Sequence, residues 1–131
     1  MTTNSHQPML SDITHPQLVS ALSKPGVDIL KQLTPEDCHQ WHMSSCIMGE
    51  AGELFDAVKK DVIYGKPIDR ANVVEELGDL EFYIEGLRSS LNITREETLV
   101  ANISKLRERY EKKTGVLTYT DRAAQERADK Q

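Results

Sequence analysis

Long apolar runs are missing from this chain, and so is any excess of positive charge. No stretch approaches the ~20 apolar residues that span a bilayer, so no membrane association is expected. The opening residues, MTTNSHQPML, lack the basic start and apolar stretch of a secretion signal, and a cytoplasmic protein is expected. Lysine and arginine total 16 against 21 acids, a formal net charge of -5. That balance removes any overall attraction for polymeric nucleic acid or anionic lipid. Cysteine is scarce: Cys38 and Cys46 are the only two. On one helix their Cα atoms would lie about 12 Å apart, beyond the reach of a disulfide, so reduced thiols are expected. Aromatic residues make up 5%, so the core of this 131-residue chain must be aliphatic and modest. A glycine loop of the G-x-x-x-x-G-K-[ST] type is absent, which excludes a P-loop enzyme. Neither β-alternation nor a solenoid-length repeat is present.

Helical sequence is plentiful, and its punctuation is clear. Residues 14–33 hold short helical material, with Pro16 near a start and Lys24-Pro25-Gly26 as a break. Thr34 is a good N-cap, Pro35 fits the first helical position, and Glu36 and Asp37 suit the first turn. That helix is expected to run to about Tyr64, with Gly65 as its stop. Asp69 can cap the next, which runs to about Leu91 and ends at Asn92. Thr94 to Glu97 reads as a capping box for a third, extending to about Tyr110. The expected organisation is a loose segment over 1–13, an all-α domain over 14–111 and a charged, partly helical tail over 112–131. The fold class is an all-α bundle of antiparallel long helices. With so modest a core, its apolar stripes are expected to be completed by self-association, in a dimer at least.

Two acidic pairs stand out, Glu50-x-x-Glu53 and Glu76-x-x-Asp79. Spacing of i, i+3 puts both carboxylates of a pair on one helix face. Four carboxylates from two neighbouring helices make a hard-oxygen site suited to Mg²⁺, with Mn²⁺ as a substitute. A metal-dependent phosphate reaction follows as the first hypothesis. At about 100° per residue, Ile47, Ala51, Leu54, Val58 and Val62 form an apolar stripe with Glu50 and Glu53 along one edge. Val73, Leu77, Leu80, Ile84 and Leu87 form the next, with Glu76 and Asp79 along its edge. Leu99, Ile103, Leu106 and Tyr110 form the third, followed by Asn102, Lys105 and Arg109. The short Lys66–Asp69 connection favours antiparallel pairing of the first two helices, so facing edges can bring the acids together. A lone Glu-x-x-Glu is usually solvated surface; two pairs beside glycines, phased alike, are harder to assign to surface. Glu75, Glu81 and Glu85 point elsewhere on the wheel and read as surface.

Other candidates carry less. His39, His42 and Cys46 lie within two turns, but no fourth ligand is evident and the spacing fits no familiar zinc pattern, so pocket lining or packing is the better reading. A di-iron bundle would need Glu-x-x-His motifs, which neither acidic pair supplies. Trp41 lies off the main stripe, and packing is its default role.

The stretches E-A-G-E-L, E-E-L-G-D-L-x-x-Y-I and A-N-I-x-K-L-x-x-R-Y resemble the MazG-like all-α nucleoside triphosphate pyrophosphohydrolases. The resemblance covers about residues 40–110. It implies hydrolysis of (deoxy)nucleoside triphosphates between the α and β phosphates, with Mg²⁺ as cofactor. By motif matching it implies that Glu50, Glu53, Glu76 and Asp79 bind the metal. Glu50 or Glu53 would serve as base, Lys105 as a catalytic cation, and Asn102, Lys105, Arg109 and Lys60 as substrate contacts. The remaining alternatives are a narrow dUTPase or dCTPase activity at the same site, or a non-enzymatic helical module with an acidic face.

Overall fold

Capping chemistry sets the helix limits in the computed structural model, which describes residues 12–111 and 114–127. The chain divides into two compact units, Met1–Pro35 and Glu36–Gln131. The first holds α1 (His15–Leu22) and α2 (Gly26–Leu30), separated by the expected break at Pro25. The Gln17 side chain turns back to accept from the Thr14 N–H at 2.8 Å, closing the first turn of α1. The segment expected to be loose, 1–13, falls almost wholly outside the described residues.

The second unit is built on α3 (Pro35–Val62) and α4 (Arg70–Ser90). Gly65, at φ 63°, takes the left-handed conformation that stops the chain after α3. Its N–H reaches the Asp61 carbonyl at 2.9 Å, and the next N–H, of Lys66, reaches back to the Lys60 carbonyl at 3.1 Å. Asp69 caps α4, its carboxylate accepting from the Asn72 N–H at 3.2 Å. Asn92, at φ 55°, turns the chain after α4. Helix α5 (Arg95–Tyr110) opens on a complete capping box. The Glu97 N–H donates to Thr94 Oγ1 at 3.1 Å, and the Glu97 carboxylate accepts from the Thr94 N–H at 2.6 Å. Within the tail, α6 (Asp121–Glu126) is capped by Thr120 and associates with the end of α5. There the Tyr110 and Tyr119 rings lie 5.8 Å apart and Glu111 bridges to Leu117. All named elements are helices, so the all-α expectation holds. Among the described residues no helix is long and apolar enough to cross a membrane.

Helices α3 and α4 run antiparallel in a constant register. Met43 meets Gly86, Cys46 and His42 meet Tyr83, Glu50 meets Glu76 and Asp79, and Lys60 lies by Asn72. The buried face differs from the expected stripe. Among the described residues the buried apolar side chains are Met43, 6% exposed, and Ala57, 5% exposed. These two and Glu50 recur every seven residues on one face of α3. Val58 and Val62, expected in the stripe, are exposed. On α4 the buried residue is Glu76 itself, 7% exposed, while Leu77 of the expected stripe is exposed. Glu76 therefore lies within the contact between the helices, with Glu50 half-buried beside it, while Glu53 and Asp79 stay exposed. Hydrophobic periodicity placed the seam one position away because it counts a buried carboxylate as surface.

Candidate functional site

Antiparallel pairing puts three carboxylates together. Oxygen atoms of Glu50, Glu76 and Asp79 all lie within 4.8 Å of one another, a cluster that could hold a metal ion. Glu50 comes from α3, one turn before Glu53; Glu76 and Asp79 come from α4, one turn apart. Glu53 is more exposed and lines an adjoining cavity of about 250 Å³ with Gly49, Gly52, Asp56, Lys60, Asn72 and Glu76. The two glycines on this wall leave the cavity open, since a Cβ at either would meet nothing within 4 Å.

Electrostatics mark Glu76. Burial, first, pushes its carboxyl above the ordinary glutamate range, and the neighbouring charges of Glu53, Glu50, Glu75 and Asp79 push it further. A carboxylate desolvated among carboxylates is unfavourable until a cation arrives. All donors are hard oxygens, which suits Mg²⁺ or Mn²⁺ over a thiophilic metal. The donor set thus fits the divalent ion that the acidic pairs imply.

One side of the acids carries an aromatic and thiol group. The Cys46 thiol pairs with the Tyr83 hydroxyl, and the His42 and Tyr83 rings lie 6.4 Å apart. The bond to Cys46, first, holds the Tyr83 hydroxyl above the usual tyrosine range, with burial and the charges of Glu50 and Asp79 acting the same way. His42 and Cys46 thus stand against α4 on the side of the acids away from the α3–α4 turn. Among the described residues, no group of three metal-capable side chains includes a histidine or cysteine. Trp41, 70% exposed, stands on the opposite face of α3.

The other side carries cations. Lys60 pairs with Asp56 at 2.9 Å. The bond to Asp56, first, raises the Lys60 ammonium and lowers the Asp56 carboxyl, and the charges of Asp69 and Glu76 also act on Lys60. A second cavity, of about 260 Å³, follows at the α3–α4 turn, lined by Ala57, Lys60, Lys66, Pro67, Asp69 and Asn72. Asn102, Lys105 and Arg109 share a face of α5, spaced i, i+3 and i+7. The charges acting on Glu76 come from α3 and α4, and none of them is an α5 cation.

Asp56, Lys66, Asn72 and Tyr83 were not singled out from sequence. Three of them had a signal: Asn72 lies one turn before Glu76, Tyr83 one turn after Asp79, and Asp56 one turn after Glu53. Continuing the acidic face by one turn in each direction would have found three of them. Lys66 has no such periodic signal, because the glycine turn places it. The residues read as surface, Glu75, Glu81 and Glu85, are exposed, and Glu85 is engaged by Arg88 and Ser89.

A family model described as MazG nucleotide pyrophosphohydrolase domain matches residues 39–114, more than half of the chain. No curated protein and no solved structure gave a significant match. The matched span takes in the acid cluster, the α3–α4 turn and the whole of α5, and with an all-α fold around four paired acids the chain belongs to the MazG family.

Proposed function

We propose that this protein hydrolyses (deoxy)nucleoside triphosphates between the α and β phosphates, releasing a nucleoside monophosphate and pyrophosphate. The observation that carries the reading is the convergence of Glu50, Glu76 and Asp79 within 4.8 Å, inside a span matched to a nucleotide pyrophosphohydrolase domain. Glu50, Glu76 and Asp79, with Glu53 beside them, hold Mg²⁺, and Mn²⁺ substitutes for it. When bound, the cation neutralises phosphate charge and makes a nearby water more acidic. Glu53, more exposed and at the cavity wall, accepts the proton of the attacking water. Oxygen of that water bonds to the α-phosphorus, the bond to the α–β bridging oxygen breaks, and pyrophosphate leaves. Asn102, Lys105, Arg109 and Lys60 contact the phosphates, and Lys105 stabilises charge as it develops. Lys105→Ala is then expected to lower kcat/KM about tenfold, or 1.4 kcal/mol.

The active form is a homo-oligomer, a dimer or tetramer. What supports this is the exposure of Trp41, Met48, Phe55 and Val62 along one face of α3, spaced by seven residues. A cytoplasmic setting agrees with the scarcity of cysteine.

A panel of nucleoside triphosphates assayed with Mg²⁺, with products separated, tests the reaction and its base preference together. Monophosphate plus pyrophosphate is the expected outcome. Diphosphate plus phosphate would overturn the cleavage position. Turnover confined to dUTP or dCTP would make the enzyme a narrow-specificity member. An absence of both turnover and metal binding, with Glu53→Gln and Asp79→Asn tolerated, would favour an acidic interaction module.

A further inference from the structure

The cavity at the α3–α4 turn shares one residue, Lys60, with the phosphate contacts proposed above, while Lys66 and Asn72 have been given no role. Its cations, Lys60 and Lys66, stand six residues apart in sequence, yet one backbone hydrogen bond joins them: the Lys66 N–H donates to the Lys60 carbonyl at 3.1 Å. Gly65, at φ 63°, permits that return, so the turn brings a second lysine to the lining of the same cavity. Asn72 lines the same cavity, while the Asp69 carboxylate there is engaged by the Asn72 N–H. Lys60 and Asn72 also line the cavity that holds Glu53 and Glu76. The two spaces, about 260 and 250 Å³, therefore share a wall. Each alone falls below the ~300–1,000 Å³ typical of a complete small-molecule site. A ligand that fills both has one part over the carboxylates and another between two lysines.

We propose that the turn cavity is an anion subsite for the pyrophosphate end of the substrate, with Lys60 and Lys66 as its cations and Asn72 as a neutral donor. This rests on the hydrolytic reading above and gives the substrate a direction along the α3–α4 pair. The β and γ phosphates point to the α3–α4 turn, and the nucleoside points to the opposite end, where His42, Cys46 and Tyr83 stand. Asp56 holds Lys60 while the subsite is empty, and the arriving phosphates compete for that ammonium. A cation at this end also stabilises the charge that gathers on the leaving pyrophosphate.

Product inhibition reads the direction, using the full chain with Mg²⁺. Lys66→Ala and Lys60→Met are expected to weaken inhibition by pyrophosphate about fivefold or more, while inhibition by the nucleoside monophosphate stays within about twofold. Lys66→Arg, which keeps the charge, is expected to retain most of the pyrophosphate affinity. Weakening of monophosphate inhibition alone, equal weakening of both, or no change in either overturns the proposal. Should the wild-type chain cleave no triphosphate, the hydrolytic reading fails on its own. Calorimetric binding of magnesium pyrophosphate then still tests the cavity: tighter binding by wild type than by Lys66→Ala supports it, and equal binding overturns it.

Discussion

Glu76 is buried where its charge is unwelcome, and the reason lies in its neighbours. Desolvation and the charges of Glu53, Glu50, Glu75 and Asp79 favour its protonated form in the folded chain. A group whose pKa is raised by folding adds stability below its unfolded value, and that stability is lost as pH rises through the folded value. For metal-free protein, stability at Glu76 is therefore gained on acidification from neutral pH toward the ordinary glutamate range. Glu76→Gln removes the penalty. In EDTA at neutral pH this variant is expected to melt above wild type, and the two should converge once the medium is acidic enough to protonate Glu76. Adding Mg²⁺ should raise the melting temperature of wild type and leave the variant nearly unmoved. Thermal melts across pH, with and without metal, check all three; a variant that melts below wild type at neutral pH in EDTA refutes the account. Asp79→Asn should cut turnover by orders of magnitude while leaving the helical circular-dichroism signal intact.

Helix α4 carries two interior glycines that meet different surroundings. A Cβ at Gly78 would touch nothing within 4 Å, whereas one at Gly86 would lie 2.5 Å from the sulfur of buried Met43. Glycine costs about 1 kcal/mol relative to alanine in a helix interior. Gly78→Ala is thus expected to stabilise the chain by about that amount. At Gly86 the same gain is opposed by overpacking, typically about 1–3 kcal/mol, because Met43 has little room to move. Gly86→Ala should come out destabilised, and urea denaturation of the pair separates the two effects. At α5, Thr94→Ala breaks one arm of a complete capping box and should cost about 1 kcal/mol.

Across the whole molecule, apolar surface exceeds what the described core covers. Met43 and Ala57 are its buried apolar side chains, while Met48 is 75% and Phe55 68% exposed. A chain of 14.8 kDa with so little buried surface has weak support for folding alone. Light scattering should therefore give a mass of at least twice 14.8 kDa at micromolar concentration. Phe55→Lys, placing charge on the exposed α3 face, should shift that mass toward the monomer and lower the melting temperature together. A monomeric wild type would sink the assembly, and an unshifted Phe55→Lys variant would move the interface elsewhere.

Helix limits were legible because their causes are local. Pro25, Gly65, Asp69, Asn92 and Thr94 act through their own backbone or that of residues within a few positions, so the sequence carries the whole instruction. The acidic pairs were legible for the same reason, since i, i+3 spacing on a helix is a local fact. Which face of α3 meets α4 was not local. It depended on Met43 settling against Gly86 and on Glu50 meeting Glu76 and Asp79, contacts whose partners lie far apart along the chain. Periodicity assigned Glu76 to an edge because a wheel weighs hydrophobicity and has no measure of a charge that a bound cation would compensate. Lys66 shows the limit most plainly. Its place beside Lys60 comes from a backbone reversal at Gly65, and only the folded chain brings the two lysines to one cavity.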